Sequence, residues 1–169
     1  YNIETTTQGY SIWLIPAEPQ FSLLRGVIHE WSRANLTPAF SPHITLLGQL
    51  PLGEHMLLDQ IRKLYTDSPA FDLELNRVEM VDTFFRSIIL RLSQEEMIDQ
   101  MHRGLCIQLG FEPDQPFVPH LSLLYSNDSE LIKRPIMEAL PFNLPFHIRL
   151  DGLSLVRTQG QVKDWQEVG

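Results

Sequence analysis

The sequence predicts an α+β fold: a bilobal, duplicated unit in which two mostly antiparallel sheets face a central cleft, with helices packed on the outside. Three observations predict it. Short apolar runs alternate with amphipathic segments along the whole chain. Residues 71–81 (FDLELNRVEMV) alternate apolar and polar, the signature of a half-buried antiparallel strand. One six-residue pattern also occurs twice, about half a chain apart. The length of 169 residues suits one domain over 1–169, built as two lobes sharing a core, and no linker-like stretch divides it.

The elements follow in order. Residues 11–16 (SIWLIP) read as a buried strand stopped by Pro16, and residues 19–35 as a helix whose apolar face is Phe21, Leu24, Ile28 and Trp31. Residues 43–50 read as strand and 54–65 as helix, with Leu57, Leu58, Ile61 and Leu64 turned inward. The alternating strand at 71–81 then meets an antiparallel partner at 85–92, across a turn near Asp82 and Thr83. Ser93 with Glu96 has the capping-box spacing, in which hydroxyl and carboxylate satisfy free N–H groups of a first helical turn. Met97, Met101, Leu105 and Leu109 mark the face of that helix, and Gly110 stops it. Residues 120–125 read as strand, 128–140 as a helix that Pro135 shortens or kinks unless the helix begins there, and 146–156 as a long terminal strand.

Composition removes several classes of function. With 43% hydrophobic and 20% charged residues, the chain has material for a packed interior and too little charge for disorder. No apolar run approaches the ~18 residues of a membrane-spanning helix, so no membrane partner is expected. A formal charge of −8 argues against coating long nucleic acid, because backbone affinity comes from clustered Lys and Arg. It leaves room for a small anion in a local pocket. Cys106 is the only cysteine, which excludes an intramolecular disulfide and a cysteine-rich zinc site and fits a reducing, cytoplasmic compartment.

The duplicated pattern carries the chemistry. Pro42-His43-Ile44-Thr45-Leu46-Leu47 and Pro119-His120-Leu121-Ser122-Leu123-Leu124 each read Pro-His-aliphatic-hydroxyl-Leu-Leu, with the histidines 77 residues apart. In a strand, positions i and i+2 share a face, so His43 joins Thr45 and His120 joins Ser122 while the aliphatic residues face the core. Each proline suits the start of a strand, where no ladder N–H is needed. Pairing the halves about a pseudo-twofold would bring two imidazoles and two hydroxyls to one space. Such a set suits metal-free phosphoester cleavage: one imidazole activates water, the other protonates the departing oxygen, and the hydroxyls donate to phosphate oxygens. A zinc site from the same histidines would need a third ligand, and no metal-ligand spacing supplies one.

These tandem His-x-Thr/Ser motifs resemble the two-histidine phosphoesterase superfamily. With the chain length and the run Leu153-Ser154-Leu155-Val156 leading to Trp165, the chain looks most similar to the eukaryotic-type cyclic phosphodiesterases. The resemblance implies a bilobal fold and cofactor-free hydrolysis of a small cyclic-phosphate nucleotide by a monomer. The substrates it implies are ADP-ribose 1″,2″-cyclic phosphate, a by-product of tRNA splicing, and nucleoside 2′,3′-cyclic phosphates opened to 2′-phosphates. It makes His43 and His120 the acid–base pair, with His120 as base for water and His43 as acid, and Thr45 and Ser122 the phosphate donors. It places Trp13, Phe85 and Tyr125 as aromatics around base or ribose. Other branches of the superfamily ligate or cleave 2′–5′ RNA linkages or trim RNA ends with the same motifs. A non-catalytic nucleotide-binding module is the alternative outside enzymes.

Read from the residues alone, the three aromatics are less settled. Tyr125 is an odd number of residues from His120 and points away from the cleft unless the strand ends or bulges near Leu124. Trp13 sits on a buried strand, where a large ring is often core. Phe84 and Phe85 face opposite ways in a continuous strand, so one of them is core. His29, His55, His102 and His147 have no companion at useful spacing and read as structural or exposed.

Overall fold

The computed structural model describes residues 5–67, 69–113 and 116–169. In chain order the elements are β1 (Thr6–Thr7), β2 (Tyr10–Pro16), α1 (Gln20–Asn35), β3 (Ile44–Leu50), α2 (Glu54–Asp67), β4 (Phe71–Met80) and β5 (Ile88–Leu92). Then come α3 (Glu95–Leu109), β6 (His120–Leu124), α4 (Glu130–Glu138), β7 (Phe146–Arg157), β8 (Gly160–Gln161) and β9 (Gln166–Glu167).

The α+β class and the antiparallel pairing hold, but the two expected sheets facing a cleft are one closed sheet, beside which β1 and β8 pair as a small separate ribbon. Six strands run β2-β3-β6-β5-β4-β7 and the series closes on itself through a β2–β7 pairing. The long β7 causes the closure. Its first half pairs with β4, Phe146 opposite Leu75 through Leu150 opposite Phe71. Its second half pairs with β2, from Leu150 opposite Pro16 to Arg157 opposite Tyr10. One continuous strand therefore belongs to both halves. Across the ring, β3 and β6 are joined through the single registered pair Ile44 and Leu121, the narrowest seam of the sheet.

The ring has an internal twofold. Residues 10–80 and 88–157 each run strand, helix, strand, helix, strand, and exchanging β2 with β5, β3 with β6 and β4 with β7 reproduces every neighbour in the ring. The helices obey the same exchange: α1 packs on β6 and α3 on β3, while α2 packs on β7 and α4 on β4. Each helix thus covers the other half's strand.

Alternation sets the register. Ile44, Leu46, Leu121 and Leu123 are fully buried in one cluster with Leu24 and Ile28 of α1 and Ile98 and Leu105 of α3. Burying each such side chain is worth ~1.5–3 kcal/mol, so a one-residue slip exposing all four would forfeit roughly 6–12 kcal/mol, comparable with a whole domain's stability. That cost holds Thr45 and Ser122 on the opposite face.

Two local expectations are corrected. The strand expected at 85–92 starts at Ile88, because residues 81–87 curl over the sheet. There the Phe84 carbonyl accepts from Ser126 N–H at 3.1 Å, the Phe85 carbonyl from the Ser122 hydroxyl at 2.9 Å, and the Val81 carbonyl from buried Lys133 Nζ at 3.0 Å. Helix α3 starts at Glu95 with no side-chain cap, because Ser93 N–H extends the sheet to the Glu74 carbonyl and Arg91 binds Glu95. Its inward face is Ile98, His102, Leu105 and Cys106, leaving Met97 exposed.

Candidate active site

The two motif strands deliver their side chains to one cavity of about 240 Å³ on the inner face of the ring. His43, the residue before β3, and Thr45 line one side; His120 and Ser122 of β6 line the other. Trp13, Phe85 and Tyr125 line it as well, so all seven candidates meet there. Strand β6 ends at Leu124, which frees Tyr125 from the alternation that would have turned it away. The bent 81–87 segment does the same for Phe85, whose ring sits edge-on to Tyr125 at 5.2 Å.

The histidines are held alike. Nδ1–H of His43 donates to the Ser41 carbonyl at 2.7 Å, and Nδ1–H of His120 to the Val118 carbonyl at 2.8 Å. A carbonyl only accepts, so these contacts fix the proton on Nδ1 and leave Nε2 of each neutral ring with its lone pair. Burial presses both imidazoles toward the neutral form. It takes His43 down to about 3, with the Ser41 carbonyl opposing and the charge of His120 adding a little. It takes His120 down to about 4, with the Val118 carbonyl opposing and Arg86 and Arg91 adding to the fall. Without a ligand, the pair is uncharged at neutral pH.

Their surroundings differ. The indole of Trp13 lies flat against His43, with ring centroids 3.5 Å apart and planes 8° from parallel. A protonated imidazole in that position faces the negative face of the indole. Among the described residues His120 has no such platform, and it feels two arginines instead. Tyr125 is 3% exposed and stacks on Phe40 at 3.7 Å, and burial raises its phenol well above the ordinary value, so its hydroxyl stays neutral.

The hydroxyls differ too. Ser122 already donates to the Phe85 carbonyl, whereas the Thr45 hydroxyl has no partner among the described residues. Thr45 can meet a phosphate oxygen without breaking an existing bond. Ser122 must exchange one.

Several lining residues escaped the sequence reading. Trp165 closes one wall, stacked with Phe85 at 5.9 Å and edge-on to Trp13 at 5.8 Å. It is tied by Nε1–H to the Thr7 hydroxyl, which donates to the Thr158 carbonyl at 2.6 Å. Ser11 and Thr158 share a hydroxyl contact at 2.9 Å behind it. Arg86 and Gln49 stand at the rim. The contacts that bring in Trp165 and Thr158 span 147 to 158 residues of sequence, beyond any local pattern. Arg86 did leave a signal: a cation beside two phenylalanines in an acidic chain.

His102 is structural and buried. Its Nδ1 meets the Leu46 carbonyl at 2.7 Å, and its ring stacks on Phe117 at 3.8 Å, so it braces β3 against the approach to β6. Among the described residues, no group of three His, Cys, Asp or Glu is placed to hold a metal ion.

Comparison with known proteins places the chain in a family. The chain is similar to a cyclic phosphodiesterase of Arabidopsis thaliana, 26% identical over 180 residues that cover 98% of this chain and 95% of the other. Among solved structures it is similar to E. coli LigT complexed with ATP (TM-score 0.61, 16% identity, 96% of this chain and 95% of that one). A structure described as a phosphoesterase matches with TM-score 0.59 and 19% identity, covering 96% of each chain. At those identities the structural matches speak for the fold. The family model of the 2′-5′ RNA ligase superfamily matches residues 19–162, spanning both histidine motifs, and the chain belongs to that superfamily of two-histidine phosphoesterases.

Proposed function

We propose that this protein hydrolyses a small cyclic phosphodiester, either ADP-ribose 1″,2″-cyclic phosphate or a nucleoside 2′,3′-cyclic phosphate that opens to the 2′-phosphate, with its two histidines as acid and base. The observation that carries the reading is the matched pair of imidazoles in one cavity, each with Nδ1–H on its own i−2 carbonyl and Nε2 bare. Binding alone has no use for two such nitrogens.

The phosphodiester brings the charge that the pair lacks. At 4 Å and an effective dielectric of ~20, a unit anion stabilises an imidazolium by about 4 kcal/mol, roughly a thousandfold in proton affinity. That offsets most of the burial penalty on one ring. Stacking on Trp13 favours His43 as that ring, and the arginines near His120 act against protonation of the second one. His120 Nε2 then takes a proton from water as the water oxygen bonds to phosphorus. His43 Nε2–H gives its proton to the ribose oxygen as the P–O bond breaks. Charge growing on the non-bridging oxygens is met by Thr45, with Ser122 joining if it releases the Phe85 carbonyl. The steps balance as written and require no group beyond water. The charge of −8 and the absence of a basic track in the cavity favour a small substrate over a polynucleotide.

Turnover of cyclic nucleotides by the wild type and by His43→Ala and His120→Ala tests the reading. Each variant is expected to stay folded and to lose ~10²–10⁴-fold in kcat. Full activity in either would remove the acid–base proposal.

A further inference from the structure

We infer that Arg86 is a specificity-determining residue that binds a second phosphate of the substrate, so that the enzyme prefers cyclic phosphates carrying a further phosphate to those carrying none. The inference rests on the proposed phosphodiesterase reading and adds the charge class of its substrate.

Among the described residues lining the cavity, Arg86 is the sole Lys or Arg, and no Asp or Glu lines it. Its guanidinium has no ion-pair or hydrogen-bond partner among the described residues. The other arginine acting on His120, Arg91, is bound by Glu79 and Glu95. In an acidic chain, one uncompensated cation at the mouth of a cavity whose imidazoles are neutral is an anion contact waiting for its ligand.

Depth decides which anion it contacts. The reacting phosphate belongs between His43, 6% exposed, and His120, beside Thr45 and Ser122. Arg86 is exposed at the rim. It follows directly on Phe85, whose carbonyl is bonded to the Ser122 hydroxyl, so its backbone lies just outside the phosphate-binding wall. The cavity volume of about 240 Å³ is also below the ~300–1,000 Å³ that engulfs a whole drug-sized ligand. A cyclic phosphate and its ribose occupy the interior, and the rest of the nucleotide passes over the rim. A phosphate on the far side of that ribose reaches Arg86.

The test compares adenosine 2′,3′-cyclic phosphate, its 5′-phosphorylated derivative, and a dinucleotide ending in the same cyclic phosphate. The readout is the ratio of kcat/KM for each substrate carrying a further phosphate to that of adenosine 2′,3′-cyclic phosphate, in wild type, Arg86→Gln and Arg86→Lys. The wild-type ratio is expected at about tenfold or more for the 5′-phosphate, the size of one charge-assisted contact. It should fall to near unity in R86Q and be partly retained in R86K. The dinucleotide separates a terminal phosphate from a bridging one, and any preference for it must vanish in R86Q as well. A ratio that R86Q leaves unchanged, whatever happens to both rates, overturns the inference. Calorimetric binding of adenosine 2′-phosphate and adenosine 2′,5′-bisphosphate reads the same preference without turnover. An inactive protein that still loses its bisphosphate preference in R86Q would sink the proposed reaction and leave the Arg86 assignment standing.

Discussion

Replacing the leaving oxygen of the substrate with sulfur should rescue one histidine variant and not the other. The two rings make the same backbone contact, so only their surroundings can divide the roles. His43 lies face to face with the Trp13 indole, an arrangement worth ~0.5–2 kcal/mol to a cation, and has no arginine pressing on it. His120 has Arg86 and Arg91 acting against its protonation. These surroundings favour His43 as the acid of the proposed reaction. On an ordinary cyclic phosphate, His43→Ala should lose ~10²–10⁴-fold in kcat, because the departing alkoxide gets no proton. A bridging sulfur departs as a thiolate, whose conjugate acid has a pKa of ~8.5, and needs none at neutral pH. With that substrate H43A should come within about tenfold of wild type while His120→Ala keeps its full deficit, since water must still be deprotonated. A chromogenic disulfide reads the released thiol continuously, and Cys106, the only cysteine in the chain, is buried and adds little background. Rescue of H120A instead of H43A would reverse the roles, and equal deficits on both substrates would refute acid–base division altogether.

Two further expectations concern the same pocket. Both imidazoles protonate in the fold only near pH 3 to 4, whereas in the unfolded chain they do so near 6.5. The unfolded state therefore binds more protons in between, and stability is lost as pH falls from 6.5 toward 4, with a slope approaching ~1.4 kcal/mol per pH unit for each ring. Urea unfolding at pH 7.5, 6 and 5 measures this, and a His43→Asn, His120→Asn double variant with the wild-type slope would contradict it. The hydroxyls should separate as well. Thr45→Val removes an unpartnered donor and is expected to cost ~10²–10³-fold in kcat with little change in Tm. Ser122→Ala unties the Phe85 carbonyl and should lower Tm as well as activity. Equal thermal shifts in the two variants would argue against that division.

Much of this arrangement was legible from period alone. The four aliphatic residues of the two motifs fix which face is core, and that leaves the histidines and hydroxyls on the other face. What period cannot report is how strand edges are used. Leu150 is paired with Phe71 on one edge and Pro16 on the other, and this double use turns two expected sheets into one ring. A strand signal at Phe85 likewise fails against three tertiary hydrogen bonds that pull residues 81–87 over the cavity. The face of α3 departs from the expected one at a single residue: Met101, Leu105 and Leu109 pack inward as the spacing predicts, while Met97 is exposed and packing against β3 buries Ile98 and the polar His102. Apolar character alone could not have chosen a histidine for the core. Its partner, the Leu46 carbonyl, is 56 residues away.

The internal twofold explains both the likeness of the histidines and the need to make them differ. In-line displacement requires one group where water attacks and another where the oxygen leaves, on opposite sides of phosphorus. A twofold supplies that opposition directly, since each half presents the same strand, the same imidazole and the same carbonyl contact to a shared axis. Perfect symmetry would also give both rings the same proton affinity, and a pair that is neutral together or charged together cannot pass a proton each way. The departures from symmetry are local and lie on elements that the motifs do not control: Trp13 from β2 against one ring, and Arg86 from the segment before β5 near the other. Under the internal exchange Trp13, opposite Thr45, corresponds to Ile89, opposite Ser122, so the place that carries an aromatic platform in one half carries an aliphatic side chain in the other. In the proposed reaction the duplicated fold sets the opposition of the two groups, and these two departures from symmetry set the direction in which the proton moves.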